Sequence, residues 1–434
     1  MPPAGPTAGT TIPLRLYGAL SVALAPAALA RADRKLTAAG IPAARLAERR
    51  GIASAPRPDG QTIWIHAASV GESLSALPLV ARLVGQATVI VTTGTGTSAR
   101  IMAQRLPDGA LHQFAPIDTR RAARAFLDHW APSLAVFVES EIWPHLILET
   151  GARGIPAALV NARLSARSLD RWARFPATAA RLLGVFGLID TQDERTRAGL
   201  AALLPDGAPV RSGGNLKAAT PPPGADPEQL ADWQARLAGR AAWTASSTHP
   251  GEDGPVLEAH ATLLKHVPDA LCLLLPRHPE RGGDIARLAR ERGFSVALRS
   301  RREDVEPGTQ VYVADTIGET GLWYRAAPLV FLAGSFGSAG GHNPWEPVAC
   351  GAALLHGPNV PNAAQDYAAL TAAGAAREVA DATALAAALG ELLADPAALE
   401  AMRGNARASA GQAGHLADGL AQDLLRLMDG THEG

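Results

Sequence analysis

The chain is short of several things, and each shortage narrows what it can be. Two cysteines in 434 residues exclude a disulfide framework. Cys272 falls in a strand-like run and Cys350 in a helix-like one, which reads as two buried free thiols of a reducing compartment. Lysine occurs only at Lys35, Lys217 and Lys265, so arginine carries most of the basic surface. The net charge of −1 offers no field for nucleic acid, and no nucleic-acid partner is expected. The histidines are scattered, without an H-x-x-x-H pair or a Cys cluster, so no metal site is legible. Neither G-x-S-x-G nor G-x-x-x-x-G-K-[ST] occurs. Beyond the N-terminus, no apolar run is long enough to span a bilayer.

What is present is a globular composition, 47% hydrophobic and 19% charged, in a chain too long for one core. Residues 1–50 read as an N-terminal membrane anchor or interfacial helix with a basic flank. Leu14–Ala30 is apolar apart from Arg15, just short of the about 20 residues a spanning helix needs. Seven basic and two acidic residues give positions 1–50 a charge of +5, the flank expected on a cytoplasmic face. A-A-L-A at Ala27–Ala30 resembles a signal-cleavage site, but no basic residue precedes Leu14, as a signal peptide would require. A plain surface helix is the third reading.

From residue 61 strand-like and helix-like segments alternate. The strand runs are Ile63–Ala68, Ala87–Thr93, His112–Pro116, Leu134–Ser140, Ala157–Ala162, Gly187–Gln192 and Val210–Gly213. After a proline-rich linker the alternation restarts with Ala241–Ser246, Ala270–Leu275, Ser295–Leu298, Gln310–Ala314, Pro328–Ala333 and Ala352–His356. Alternation of this kind predicts two parallel, doubly wound α/β domains, whose ligands bind beyond the carboxyl ends of the strands.

Several loops at those ends carry chemistry-bearing residues. L-A-G-S-F-G-S-A-G-G-H-N-P-W-E-P at Leu332–Pro347 is a strand, a Gly/Ala-rich loop and a helix start. Asn343 is placed to cap, Pro344 suits the first helical position, and Glu346 completes a capping-box pattern, so backbone N–H groups are free to meet a phosphate. Ser69 and Glu72 are spaced as a capping box, while Glu72 beside Gly71 also suits a general base. Thr92–Ala99 fits G-x-G-x-x-A, a weak dinucleotide fingerprint. Glu139 and Glu141 end a strand on one side, where they repel unless a cation lies near. Arg163, Arg167, Arg171, Arg174 and Arg181 form either a solvated face or a surface for an anionic acceptor. Lys217 lies in a Gly-rich turn, and Pro276-Arg277-His278, Thr316–Glu319 and Ser246–His249 end further strands.

H-A-A-S-V-G-E, T-T-G-T-G-T, E-S-E-I-W-P, N-A-R-L-S, G-N-L-K, S-S-T-H-P-G-E, L-P-R-H-P-E-R, I-G-E and G-G-H-N-P-W-E-P together, and in this order, resemble the motifs of the Kdo transferases of lipopolysaccharide synthesis. These are inverting glycosyltransferases of the GT-B fold. The resemblance implies an α/β architecture of two Rossmann-like domains facing across a cleft. It implies an acceptor-binding domain at 51–217, a linker at 218–228 and a CMP-sugar-binding domain at 229–434. It implies transfer of Kdo from CMP-Kdo to the lipid A precursor (lipid IVA), with neither metal nor cofactor, at the cytoplasmic face of the inner membrane. Carried over by motif, Glu72 resembles the general base, and Glu139 and Lys217 the transition-state stabilisers. CMP would be held by Pro276 and Arg277, by Ile317, Gly318 and Glu319, and by Asn343, Pro344, Trp345 and Glu346. The departures are Pro250, where an acidic residue is usual, the glycines at 94 and 96, and an anchor poorer in leucine. A GT-B transferase of a UDP-sugar, a non-catalytic nucleotide-sugar sensor and an NAD-linked oxidoreductase using the 94–99 loop are the alternatives.

Overall fold

Runs such as T-I-W-I-H and L-A-V-F-V are buried along their whole length. A strand with no polar face must be covered on both sides, which only a parallel sheet sandwiched by helices provides. The computed structural model, which describes residues 11–430, contains two such sheets. The first is built from β1 (Thr62–His66), β2 (Thr88–Thr93), β3 (Ala110–Phe114), β4 (Leu134–Val138), β5 (Ala157–Ala162), β6 (Leu188–Thr191) and β7 (Val210–Ser212). Its order is β3-β2-β1-β4-β5-β6-β7, with parallel pairing at β1/β2 and β1/β4. The chain therefore winds outward one way from β1 and the other way from β4, and the winding reverses between those two strands.

The second sheet comprises β8 (Ala242–Thr248), β9 (Leu271–Pro276), β10 (Val296–Leu298), β11 (Val311–Val313), β12 (Leu329–Leu332), β13 (Ala353–His356) and β14 (Ala376–Glu378). Its order is β10-β11-β9-β8-β12-β13-β14, and here the reversal lies between β8 and β12. All thirteen strands expected from the sequence are present; β14 was not expected.

Residues up to 219 form one compact unit together with 413–430, and residues 220–412 form the other. The tail of the expected C-terminal domain thus groups with the first unit, where Arg82 pairs with Asp418 and Arg211 with Asp423. In the first core Trp64 meets Phe126 at 4.8 Å and Phe137 edge-on at 5.2 Å. Truncating one of these buried rings to alanine would cost about 3–5 kcal/mol. In the second, Trp233 packs tilted against Tyr312 at 4.9 Å and edge-on against Trp323 at 4.7 Å. Cys272 is buried as expected, whereas Cys350 is only half-buried.

The N-terminal segment is part of the first unit rather than an appendage. Glu48 is fully buried, accepts the Phe114 N–H at 2.7 Å and pairs with Arg45 at 2.8 Å. The helix α1 (Ile12–Ala38) buries Leu14 and Leu36 and docks one side: Tyr17 O–H donates to Asp118 at 2.6 Å, and Ser21 Oγ lies 3.1 Å from His145 Nε2. Its other side is apolar and bare, with Ile12, Leu16, Leu20, Val22 and Leu24 exposed. The glycine loop after β2 has a structural explanation. A Cβ on Gly96 would stand 2.6 Å from the Ala39 methyl, so Gly96 lets the segment following α1 lie against the loop, and Thr95 caps the next helix through the Ser98 N–H.

Candidate active site

On the first unit, the candidate side chains gather where β1 and β4 end, the reversal point at which open α/β sheets bind ligands. After β1, Ser69 caps α2 (Val70–Leu83): its Oγ accepts the Glu72 N–H at 3.3 Å, and Glu72 Oε2 accepts the Ser69 N–H at 2.9 Å. The capping box expected from the spacing is present. It also fixes Glu72 through one oxygen and leaves the other for further chemistry. Burial, then the charge of Glu141 and more weakly that of Glu139, push the Glu72 carboxyl up to about 7, against the pull of the Ser69 hydrogen bonds.

The two carboxylates after β4 do not share one environment. Glu139 sits at φ +59°, a left-handed conformation that costs a non-glycine residue about 1–2 kcal/mol. Its Oε1 lies 3.3 Å from Lys217 Nζ and 3.3 Å from Ser75 Oγ. Asn161, also left-handed at φ +53° and fully buried, lies 3.5 Å from the same oxygen and holds the Lys217 turn by accepting the Leu216 N–H at 3.0 Å. Glu141 instead faces His66 Nε2 at 3.3 Å and accepts from the Trp143 indole. Burial acts to raise the Glu141 pKa, but hydrogen bonds from His66, Trp143 and Glu72 and the His66 charge bring it below the usual carboxylate range. Thr92 Oγ1 accepts from the donor-only Trp64 indole at 2.9 Å and lies 3.0 Å from His66 Nδ1. The same hydroxyl lies 3.5 Å from the Ile65 carbonyl, to which it donates. Lys217 therefore answers Glu139 and His66 faces Glu141, while of the two neighbouring carboxyls Glu72 is pushed upward and Glu141 is drawn down. Such a split pair is the usual signature of an acid/base site.

Glu72, Glu139 and Lys217, singled out in the sequence, are thus brought together. His66, Ser75, Glu141 and Asn161 join them; His66, Glu141 and Asn161 stand inside the quoted motifs, whereas nothing in the sequence marks Ser75. Among the described residues, Arg163, Arg167, Arg171 and Arg174 are exposed and form no ion pair, on or beside the helix Ala166–Ala173, which buries nothing.

The second unit carries the other candidate residues on the carboxyl edge of its sheet. Pro276 ends β9 and Arg277 follows it, its N–H donating to Thr248 O at 3.1 Å and its side chain exposed. After β11, Ile317 is 87% exposed, Gly318 adopts φ +87°, and Glu319 is held by Arg299 at 2.5 Å and by the Thr316 hydroxyl. After β12 the Gly-rich loop differs from its sequence reading. The N–H groups of Gly334, Phe336 and Gly337 are not free. They donate to the carboxylate of Glu252 at 2.7, 3.0 and 3.4 Å, and the His249 N–H does so at 3.0 Å. Glu252 is only 2% exposed, and a buried carboxylate must be satisfied in this way. The following helix is Trp345–Ala349, one turn with Pro344 at its N-cap and no capping box. Asn343 nevertheless accepts the Trp345 N–H at 3.2 Å, and Trp345 Nε1 donates to Asp366 at 3.0 Å. The expected N-terminal phosphate cradle is therefore reduced to the short turn 343–346.

A family model described as 3-deoxy-D-manno-octulosonic-acid transferase (kdotransferase) matches residues 44–220. The chain is 38% identical to a protein of Arabidopsis thaliana named "probable 3-deoxy-D-manno-octulosonic acid transferase, mitochondrial", over 73% of each chain. It is 37% identical to the 3-deoxy-D-manno-octulosonic acid transferase of Bordetella pertussis, over 83% of this chain and 86% of the other. A solved UDP-GlcNAc 2-epimerase from Neisseria meningitidis superposes with a TM-score of 0.54 at 13% identity, covering 84% of this chain and 99% of that one. That likeness is one of fold, the pair of Rossmann-like units of the GT-B architecture.

Proposed function

The chain belongs to the 3-deoxy-D-manno-octulosonic acid (Kdo) transferase family, and from that premise we propose that it transfers Kdo from CMP-Kdo to the lipid A precursor, lipid IVA, with inversion. The observation that carries the mechanism is the Glu72 carboxyl, held near pH 7 beside the Glu139–Lys217 pair at the reversal point of the first sheet. A base with that affinity is about half ionised at neutral pH, where it both accepts a proton readily and is present in the right form. In this reading Glu72 takes the proton of the acceptor hydroxyl as its oxygen attacks the anomeric carbon. The carbon–phosphate-oxygen bond breaks on the opposite face, and CMP leaves with the electron pair. Lys217, steadied by Glu139, stabilises the negative charge that develops. Arg277 meets the nucleotide phosphate, and Pro276, Ile317, Gly318, Glu319 and the Asn343–Glu346 turn frame the rest of CMP. No metal or other cofactor has a part in this scheme.

Incubation with CMP-Kdo and lipid IVA, followed by mass spectrometry of the lipid, should show a mass gain of whole Kdo residues that depends on the CMP-sugar. Mass gain with a UDP-sugar instead would assign a different donor and sink the proposal.

The membrane part of the reading rests on α1, whose apolar window has a mean hydropathy of 1.5 with 6% of it buried. One side of α1 is bonded to the first unit along Tyr17 and Ser21 while the other is apolar, which favours a helix lying in the cytoplasmic interface over one crossing it. Combining Leu16→Ser, Leu20→Ser and Leu24→Ser should release the protein from anionic vesicles in flotation assays. It should leave turnover on detergent-dispersed acceptor within about twofold, since exposed positions contribute little to stability. Undiminished flotation of that variant would remove α1 from the membrane contact.

A further inference from the structure

Two histidines that the mechanism above does not use stand on the nucleotide edge of the second unit. His249 follows β8 and His342 follows β12, so they meet across the reversal point of the sheet, 93 residues apart in sequence. Their Nε2 atoms are 2.9 Å apart, and their rings are stacked at 5.0 Å with 13° between planes. The chain makes room for this pair. Gly334, at φ +75°, stands where a Cβ would lie 2.7 Å from His342 Cδ2 and 3.5 Å from His249 Cδ2. Ser247, at φ +60°, brings its backbone near enough to His342 to act to raise that imidazole's pKa.

Two Nε2 atoms at 2.9 Å must be one donor and one acceptor. The ring that donates through Nε2 then holds an unshared pair on its Nδ1. One added proton there would turn the stacked pair into a single cation spread along the chain. In the empty site that proton is resisted. Burial, then the His249 and Arg277 charges, hold His342 at about 4 despite Glu252 and the Ser247 backbone. Burial, with His278, Arg277 and Arg281, keeps His249 below its ordinary value despite Glu252. The negative charge of a bound nucleotide phosphate, single on the phosphodiester of CMP-Kdo and double on the departing CMP, offsets the cations that oppose protonation.

We propose that His249 and His342 act as one proton carrier that becomes charged when the nucleotide phosphate binds, and so presents an imidazolium to the departing phosphate. This rests on the reading that CMP-Kdo binds this edge. As the sugar carbon–oxygen bond breaks, its electron pair passes to the phosphate oxygen. The proton taken from solvent on binding either stays paired with that oxygen or moves onto it, and it leaves with CMP.

The test is calorimetry of CMP binding to the full-length protein in buffers of different ionisation enthalpy between pH 7 and 8.5. Phosphate monoesters are mostly dianionic there, their second pKa being about 6, so proton uptake comes from the protein. The expected result is net proton uptake by the protein of up to one proton per CMP, larger at pH 7 than at pH 8.5, with Kd rising by at most about tenfold per pH unit. His249→Gln and His342→Gln should each abolish the uptake and flatten the Kd profile while CMP still binds, and His278→Gln should retain both the uptake and a pH-dependent Kd. CMP binding to wild type without uptake, or uptake that follows His278, would overturn the proton carrier and leave the donor site standing. Failure of wild type to bind CMP at all would overturn the donor site and the carrier with it.

Discussion

Glu72→Gln should lower kcat by roughly 10²–10⁴-fold, the contribution of a positioned base, while CMP affinity stays at the wild-type value. The substitution separates the two duties of this side chain. Glutamine still offers an oxygen to the Ser69 N–H, as capping boxes allow, so the start of α2 is kept and only the proton acceptor is lost. Stability supplies the second readout. The folded carboxyl titrates near 7 rather than 4.5, so folding favours its protonated form. That stabilisation is complete below about pH 4.5 and is lost as the pH rises to about 7, above which a buried charge is a standing cost. At pH 8 the variant should therefore melt no lower than wild type. A variant that melts lower and turns over normally would reduce Glu72 to a helix cap.

Lys217→Ala should lower kcat by roughly 10²–10³-fold, the range for losing one preorganised stabiliser of developing charge. The consequence extends beyond the lysine. Glu139 would keep its left-handed backbone and its place beside Ser75 and Asn161 but lose its counter-charge. Its uncompensated carboxylate adds to the field that already raises Glu72, so the acid limb of the pH–rate profile should move to higher pH. Lys217→Arg should restore part of kcat, because charge is kept while the compact ammonium geometry is not. Turnover of the alanine variant within a few-fold of wild type would take Lys217 out of the chemistry.

The strands were legible because parallel, doubly covered strands must be written as unbroken apolar runs, as in Leu134–Val138 and Leu271–Pro276. β14 was not, because Ala376-Arg377-Glu378 pairs on one side only, with β13, and needs no such run. Around Glu72 the sequence poses a cap against a base; the structure shows the cap, which occupies a single oxygen and so does not exclude the proposed base. Glu139 reaches its partners through a left-handed backbone that its residue type does not announce, whereas Asn161 is of a type that visits that region more readily. The Gly-rich loop was misread for a related reason. Its N–H groups look free in sequence because Glu252, which accepts them, is more than 80 residues away. The histidine pair is hidden by a separation of the same kind.

The most direct test of the account is the pH dependence of kcat/KM for wild type and for Glu141→Gln, assayed with CMP-Kdo and lipid IVA. In wild type kcat/KM should fall by about tenfold per pH unit below about pH 7, as the free-enzyme base takes up its proton. After burial, the charge of Glu141 is the largest influence raising Glu72. Glu141→Gln should therefore shift this acid limb to lower pH. A wild-type profile flat through neutrality, or a limb that stays in place when Glu141 loses its charge, would contradict Glu72 as the base.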